Sequence, residues 1–123
     1  MSYDLVVWSH APRTVKDADA IYQRLCVGDT SLLQPEPDAA ARVRAFVTQL
    51  TKHYPPMSAY ADDDIDDCPW NSEFSQSEVH IVMTLAYSRA SEASPFIAAL
   101  ADRCGLVYYD PQMNGVRLPR KTA

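Results

Sequence analysis

Residues 78–112, EVHIVMTLAYSRASEASPFIAALADRCGLVYYDPQ, form the one stretch in which strand, helix and strand signals follow without a break. Val79, Ile81, Met83 and Leu85 alternate with His80, Val82, Thr84 and Ala86, and both sets are rich in apolar or β-branched side chains. That pattern predicts a central strand, largely covered on one face. Ser91, Glu92 and Pro95 then open a helix, because a hydroxyl can accept a first-turn amide and proline is tolerated early in a helix. Phe96, Ile97, Leu100 and Cys104 recur at helical spacing, and Gly105 stands where a left-handed residue closes a helix, so the helix stops at Arg103 or Cys104. Leu106 to Tyr109 resumes extended structure, and Asp110-Pro111 ends it, since proline cannot donate to a ladder. Together these make a βαβ unit, for which a right-handed crossover is expected.

Working outward, Leu5 to Trp8 is too short for a helix and rich in valine, which predicts a first strand, broken by Ser9-His10-Ala11-Pro12. Thr14 reads as an N-cap, and Val15, Ala18, Ile21, Tyr22 and Leu25 give an apolar stripe that ends before Gly28. Asp29 to Pro37 is a turn-rich link. Asp38 then caps a second helix, in which Val43, Phe46, Val47 and Leu50 share a face and which His53-Tyr54-Pro55-Pro56 terminates. Asn114-Gly115 is a tight-turn signal that makes Val116 to Leu118 a hairpin partner of Tyr108-Tyr109. The expected architecture is a single α+β domain over residues 1–123. It has a small mixed β-sheet with two to three helices packed on one face, with Leu5 to Trp8 and Val79 to Tyr87 as inner strands.

With 123 residues and 47% apolar side chains, the chain can bury a core that needs no disulfide or metal. No apolar run reaches the length of a membrane span, and the opening MSYDLVVW lacks a basic start and a cleavage site, so a cytoplasmic, non-membrane protein is expected. Cys26, Cys68 and Cys104 are too far apart and too few for a disulfide framework or a zinc knuckle. The periodicity expects Cys26 and Cys104 on apolar helix sides and leaves Cys68 as the exposed thiol.

The net charge of −5 is unevenly placed. Residues 57–78 hold seven acids (Asp62, Asp63, Asp64, Asp66, Asp67, Glu73 and Glu78) and no Lys or Arg, while the remaining chain has nine acids against eleven bases. This balance speaks against a nucleic-acid footprint. The segment lacks periodicity, and its aspartates repel one another, so a long exposed loop is expected, with Met57, Tyr60, Ile65, Trp70 and Phe74 ordering part of it. A calcium loop does not fit, since the turn glycine and the terminal bidentate glutamate are absent. A solvated acidic face is the plain reading. The functional one is a recognition surface for a basic partner, on Asp62, Asp63, Asp64, Asp66 and Asp67, with Trp70 as aromatic anchor.

Other chemistry finds less support. His10, His53 and His80 sit in no catalytic motif, and nothing in the sequence brings Cys68 to His53 and an aspartate. Three glycines cannot build a phosphate-cradling loop, so no nucleotide cofactor is expected, and no metal or other cofactor either. The alternative function is a small-molecule pocket, or an enzyme, at the sheet end near Tyr109 and Asp110, where α/β proteins place ligands. A homo-oligomer built on an exposed sheet edge is a third possibility.

The opening SYDLVVW at residues 2–8, Cys68-Pro69-Trp70 after the acidic loop, and the stretch from Ala98 to Gln112 ending GLVYYDPQ resemble a group of small bacterial proteins. These have a YDLVVW start and a GLVYYDPQ-type ending and are similar to the immunity proteins that accompany polymorphic toxins. The resemblance implies an immunity protein, and with the acidic segment it leads to the expectation of a non-enzymatic binding protein that neutralises a basic toxin. It carries over no catalytic residue.

Overall fold

The computed structural model describes residues 2–9, 15–31, 33, 38–63, 68–113 and 115–118. Its elements in chain order are β1 (Ser2–Trp8), α1 (Val15–Cys26), α2 (Ala39–His53), β2 (Ser75–Gln76), β3 (His80–Ala86), α3 (Ala90–Arg103), β4 (Val107–Asp110) and β5 (Gly115–Arg117). They form an α+β domain around one five-stranded sheet of order β2-β3-β1-β4-β5.

β1 is the centre of that sheet. Its seven residues all pair with β3, from Ser2 opposite Ala86 to Trp8 opposite His80, and Val6 to Trp8 pair with β4 on the other side. A strand paired on both edges and covered on both faces must be apolar throughout, and Leu5, Val6, Val7 and Trp8 are fully buried. β3 and β4 are each antiparallel to β1 and hence parallel to one another, with β1 in the slot between them. The βαβ unit is therefore split, and no two parallel strands pair among the described residues. All pairings of the sheet are antiparallel, where a mixed sheet was expected.

The sheet is covered on both faces rather than one. Leu5, Val7, Ile81, Met83, Leu85 and Tyr108 project towards α2 and α3, where they pack with Val43, Phe46, Leu50, Ile97 and Leu100. Val6, Trp8, Val107 and Tyr109 project the other way and meet Ala18, Ile21 and Leu25 of α1. Each helix thus contributes the stripe that its 3.6-residue period predicts, and each large aliphatic or aromatic group so buried stabilises the fold by about 1.5–3 kcal/mol.

The helix ends follow the sequence at their C-termini; at the N-termini Asp38 precedes α2 as expected, α3 starts earlier than expected, and Thr14 lies outside the described residues. Gly28 (φ 79°) and Gly105 (φ 71°) both adopt the left-handed conformation after a helix. At α3 the Leu106 amide donates to the Ala101 carbonyl (2.9 Å) and Gly105 to Asp102 (3.1 Å). At α1 Asp29 donates to Arg24 (2.9 Å) and Gly28 to Leu25 (3.0 Å). These paired bonds satisfy carbonyls that the helix leaves open. Asp38, by contrast, makes no side-chain cap, and its carboxylate lies 3.5 Å from Arg42 one turn on. Ser91 does not start α3, because a 3-10 turn at residues 87–89 already carries the chain into helical geometry and places Arg89 at the N-cap. Arg89 does pair with Glu92 across that start.

The acidic segment is less free than its composition suggests. A 3-10 turn occupies residues 57–59, Cys68, Pro69 and Trp70 are buried, and Ser75–Gln76 pairs with β3 as an edge strand. Trp70 forms a bridge to Leu85. Beside it the Ala86 amide donates to the Pro69 carbonyl (2.7 Å) and the Asn71 amide to the Thr84 carbonyl (2.8 Å). Residues 69–76 therefore run along the outer edge of β3 and use up hydrogen-bonding groups that an open edge would expose.

Candidate functional site

Trp70 decides how the acidic segment is held. Its indole nitrogen donates to the Pro55 carbonyl at 2.9 Å, and its ring meets Phe74 edge-on at 4.8 Å and Tyr54 at 6.2 Å. At 2% exposure it belongs to the core and cannot serve as the surface anchor proposed for it from sequence. A flat aromatic beside a charge run can dock inward as readily as outward, and here the Pro55 carbonyl gives its N–H a buried partner. Tyr60 and Phe74 are half-buried against the same core. Asp62 and Asp63 are exposed, as are Glu73 and Glu78, whereas Asp64, Asp66 and Asp67 lie outside the described residues. The placed acids thus face solvent on a segment tied down on either side.

The sheet end near Tyr109 and Asp110 divides between the two faces. Tyr109 points towards α1, fully buried, and its hydroxyl donates to Asp19 Oδ1 at 3.2 Å. Burial, then the Asp19 charge, pushes its pKa up to about 12. Tyr108 and Asp110 point towards α3. Asp110 Oδ1 accepts the backbone amides of Gln112 (3.0 Å) and Met113 (3.2 Å) and the Gln112 side-chain amide (2.8 Å), while Oδ2 accepts the Tyr3 hydroxyl. Four donors occupy the carboxylate, so it fixes the turn after β4. Burial and the neighbouring Asp110 carboxylate hold the Tyr3 hydroxyl protonated far above its ordinary range. Gln112 adds two bonds to β1, donating to the Asp4 carbonyl and accepting the Asp4 amide, both at 2.7 Å. The YD of the opening strand and the DPQ of the last turn are therefore one structural unit, though 107 or 108 residues separate their partners.

Beside this unit a groove of about 960 Å³ runs between α3 and the β4–β5 hairpin. Its helical wall is made of Ser94, Pro95, Ala98 and Ala99, short side chains of which Ser94 meets the Tyr108 hydroxyl, and its opposite wall includes Tyr108 and Arg117. Burial and then the Asp110 charge raise the Tyr108 hydroxyl pKa to about 12, against the opposing influence of Arg117 and Ser94. Periodicity gave no hint of this groove, because it comes from small residues on the part of α3 that faces β5 rather than from a motif.

The remaining reactive groups stay apart. His53 stacks on Phe96 at 4.3 Å, and Cys68 directs its thiol to the Trp70 carbonyl at 3.6 Å, so the two do not form a pair. Cys68 is buried and Cys26 exposed, the reverse of the expectation; Cys104 is intermediate. Cys26 follows Leu25 directly and so sits about 100° around the helix from it, off the buried stripe. His80 is 3% exposed, with Nδ1 2.6 Å from the Ser77 hydroxyl and no partner for Nε2 among the described residues. His10 lies outside the described residues. Among the described residues no group of three or more His, Cys, Asp or Glu side chains is placed to hold a metal ion, and no helix is long and apolar enough to cross a membrane.

The fold and these surfaces define a small α+β domain with an acidic edge and an open groove. Comparison with protein-family models, with curated proteins and with solved structures gave no match.

Proposed function

We propose that the chain is a non-enzymatic binding protein that presents the acidic segment 57–78 to a basic partner. The observation that carries the reading is the fastening of that segment. Trp70 is sunk in the core and residues 75–76 are paired to β3, while Asp62, Asp63, Glu73 and Glu78 stay exposed. A charged segment with fixed flanks loses less entropy on binding than a free tail, and like charges gathered on it speed the encounter with a basic surface. A toxin, the partner class implied by the sequence resemblance, is one such basic protein. The occupied carboxylate of Asp110 supports the non-enzymatic side of the reading, because three of its four hydrogen bonds serve the turn and the fourth ties it to Tyr3 of β1.

The test is quantitative capture from a lysate of the source cells. It compares the protein with a variant carrying Asp62→Asn, Asp63→Asn, Asp64→Asn, Asp66→Asn and Asp67→Asn, at low salt and at roughly 0.15 M. One basic protein should be recovered by the unaltered chain, and its association with the variant should be slower by about tenfold or more. Equal recovery by both proteins, or no basic protein at all, would overturn the proposal.

A further inference from the structure

Three of the four large hydrophobic side chains that stand most exposed among the described residues belong to one face. Met113 (73%) and Leu118 (52%) line the groove between α3 and the β4–β5 hairpin. Tyr87 (59%) lies against Tyr3 of the same lining, with ring centroids 5.9 Å apart. The fourth, Val27, stands at the end of α1. Apolar groups gathered around a recess mark a contact surface, which singly scattered ones do not. This face has both projections and a hollow, because Met113 and Leu118 stand out beside a helical wall whose exposed part is Pro95 and Ala99.

Its charges decide what can cover it. The lining holds two acids, Asp102 and Asp110, and two bases, Arg103 and Arg117, so it is locally balanced in a chain of net charge −5. Arg103 and Arg117 are exposed, Asp102 is half-buried and Asp110 is buried. A surface of one sign repels its own copy, as segment 57–78 must, with seven acids and no Lys or Arg. A surface with both signs, a projection and a hollow can instead be complementary to itself. A two-fold contact requires that property, since each patch there meets its own duplicate.

We infer that this face pairs with the same face of a second copy of the chain, giving a two-fold dimer. Met113 and Leu118 of each copy enter the recess of the other against Pro95 and Ala99, and Arg103 and Arg117 of each come beside Asp102 of the other. β5 offers only three residues at the rim of the sheet, and Pro119 beyond it has no N–H to donate, so the contact rests on side chains rather than on a continued sheet. The acidic segment runs along β3 at the opposite edge and stays outward in such a dimer, so either reading can fail alone.

The test is sedimentation equilibrium from about 1 µM to 1 mM chain at roughly 0.15 M salt. The unaltered protein should pass from the mass of one chain to that of two within this range. The Met113→Lys, Leu118→Lys double variant should self-associate more weakly by about a hundredfold or more, because two apolar contacts are lost and like charges face one another across the two-fold. Both side chains are more than half exposed, and retention of the amide NMR spectrum shows that the variant is folded. Amide shifts on dilution should concentrate at Ser94, Ala99, Met113 and Arg117, and Asp62→Asn, Asp63→Asn should dimerise as the unaltered chain does. The assignment is overturned by a single-chain mass throughout, by a mass that grows beyond two chains, by a dimer that survives the double variant, or by dilution shifts that fall on β2 and the acidic segment. A single-chain mass together with saturable shifts at the groove on adding a hydrophobic tetrapeptide would make the occupant a foreign chain and would overturn it as well.

Discussion

His80 is buried opposite Trp8 with one ring nitrogen on Ser77 and the other without a partner among the described residues, an arrangement that favours the neutral ring. Burial holds its pKa below the ordinary value. In the unfolded chain the same ring takes up a proton near pH 6.5. Below that pH the unfolded state binds more protons than the folded one, so stability falls as pH falls through the unfolded value. The slope due to this group reaches at most about 1.4 kcal/mol per pH unit. Urea denaturation between about pH 7.5 and 5 should therefore show a shallower loss for His80→Gln than for the unaltered protein. Identical slopes would mean that the ring is protonated in the fold. The sequence placed His80 at the start of a strand but could not say that its ring would be enclosed. That depends on Trp8, 72 positions away, being paired with it. Cys68 and Trp70 were opaque for a related reason. Their burial follows from docking against Pro55 and β3, and no periodicity within 57–78 records that contact.

At the scale of elements, the most legible features were those with local causes. Gly28 and Gly105 were read as helix terminators, and both hold positive φ with the paired bonds that close α1 and α3. A Cβ at Gly28 would meet nothing within 4 Å, and one at Gly105 would lie 3.6 Å from the Arg42 side chain, an ordinary contact. The penalty for alanine at either place is thus conformational. Gly28→Ala and Gly105→Ala should each lower unfolding free energy by about 1–2 kcal/mol, and asparagine should cost less, since its short polar side chain tolerates the left-handed region. Denaturant midpoints would shift without a change in m-value. A drop at Gly105 much larger than at Gly28 would show that the Arg42 hydrogen bond to the Gly105 carbonyl (2.7 Å) had been broken too. Helix starts were less legible: Asp38 stands at the N-cap of α2 as its residue type suggests but makes no side-chain cap bond, and α3 begins before Ser91 because the 3-10 turn at 87–89 sets the backbone there.

At the scale of the molecule, the order β2-β3-β1-β4-β5 puts the first strand of the chain at the centre, between strands that lie more than seventy residues later. No local signal encodes that order. The apolar run Leu5 to Trp8 fits equally well in several slots, and the long-range bonds of Tyr3 and Asp4 to Asp110 and Gln112 join the β1–β4 ladder in fixing it against β4. One consequence concerns cooperativity. β1 cannot be opened without separating β3 from β4 and uncovering both cores, whereas β2 pairs through two residues and β5 through three at the rims of the sheet. Amides opened only by global unfolding exchange at the rate that total stability sets, and rim amides exchange through local opening. Hydrogen exchange should therefore find Val6 and Val7 in the slowest class, with Ser75, Gln76 and Val116 exchanging faster by orders of magnitude. The gap should narrow in mild denaturant as global unfolding takes over. If β1 exchanged as readily as β5, the sheet would be two loosely joined hairpins, and the acidic edge and the groove would lack the common rigid frame that β1 gives them.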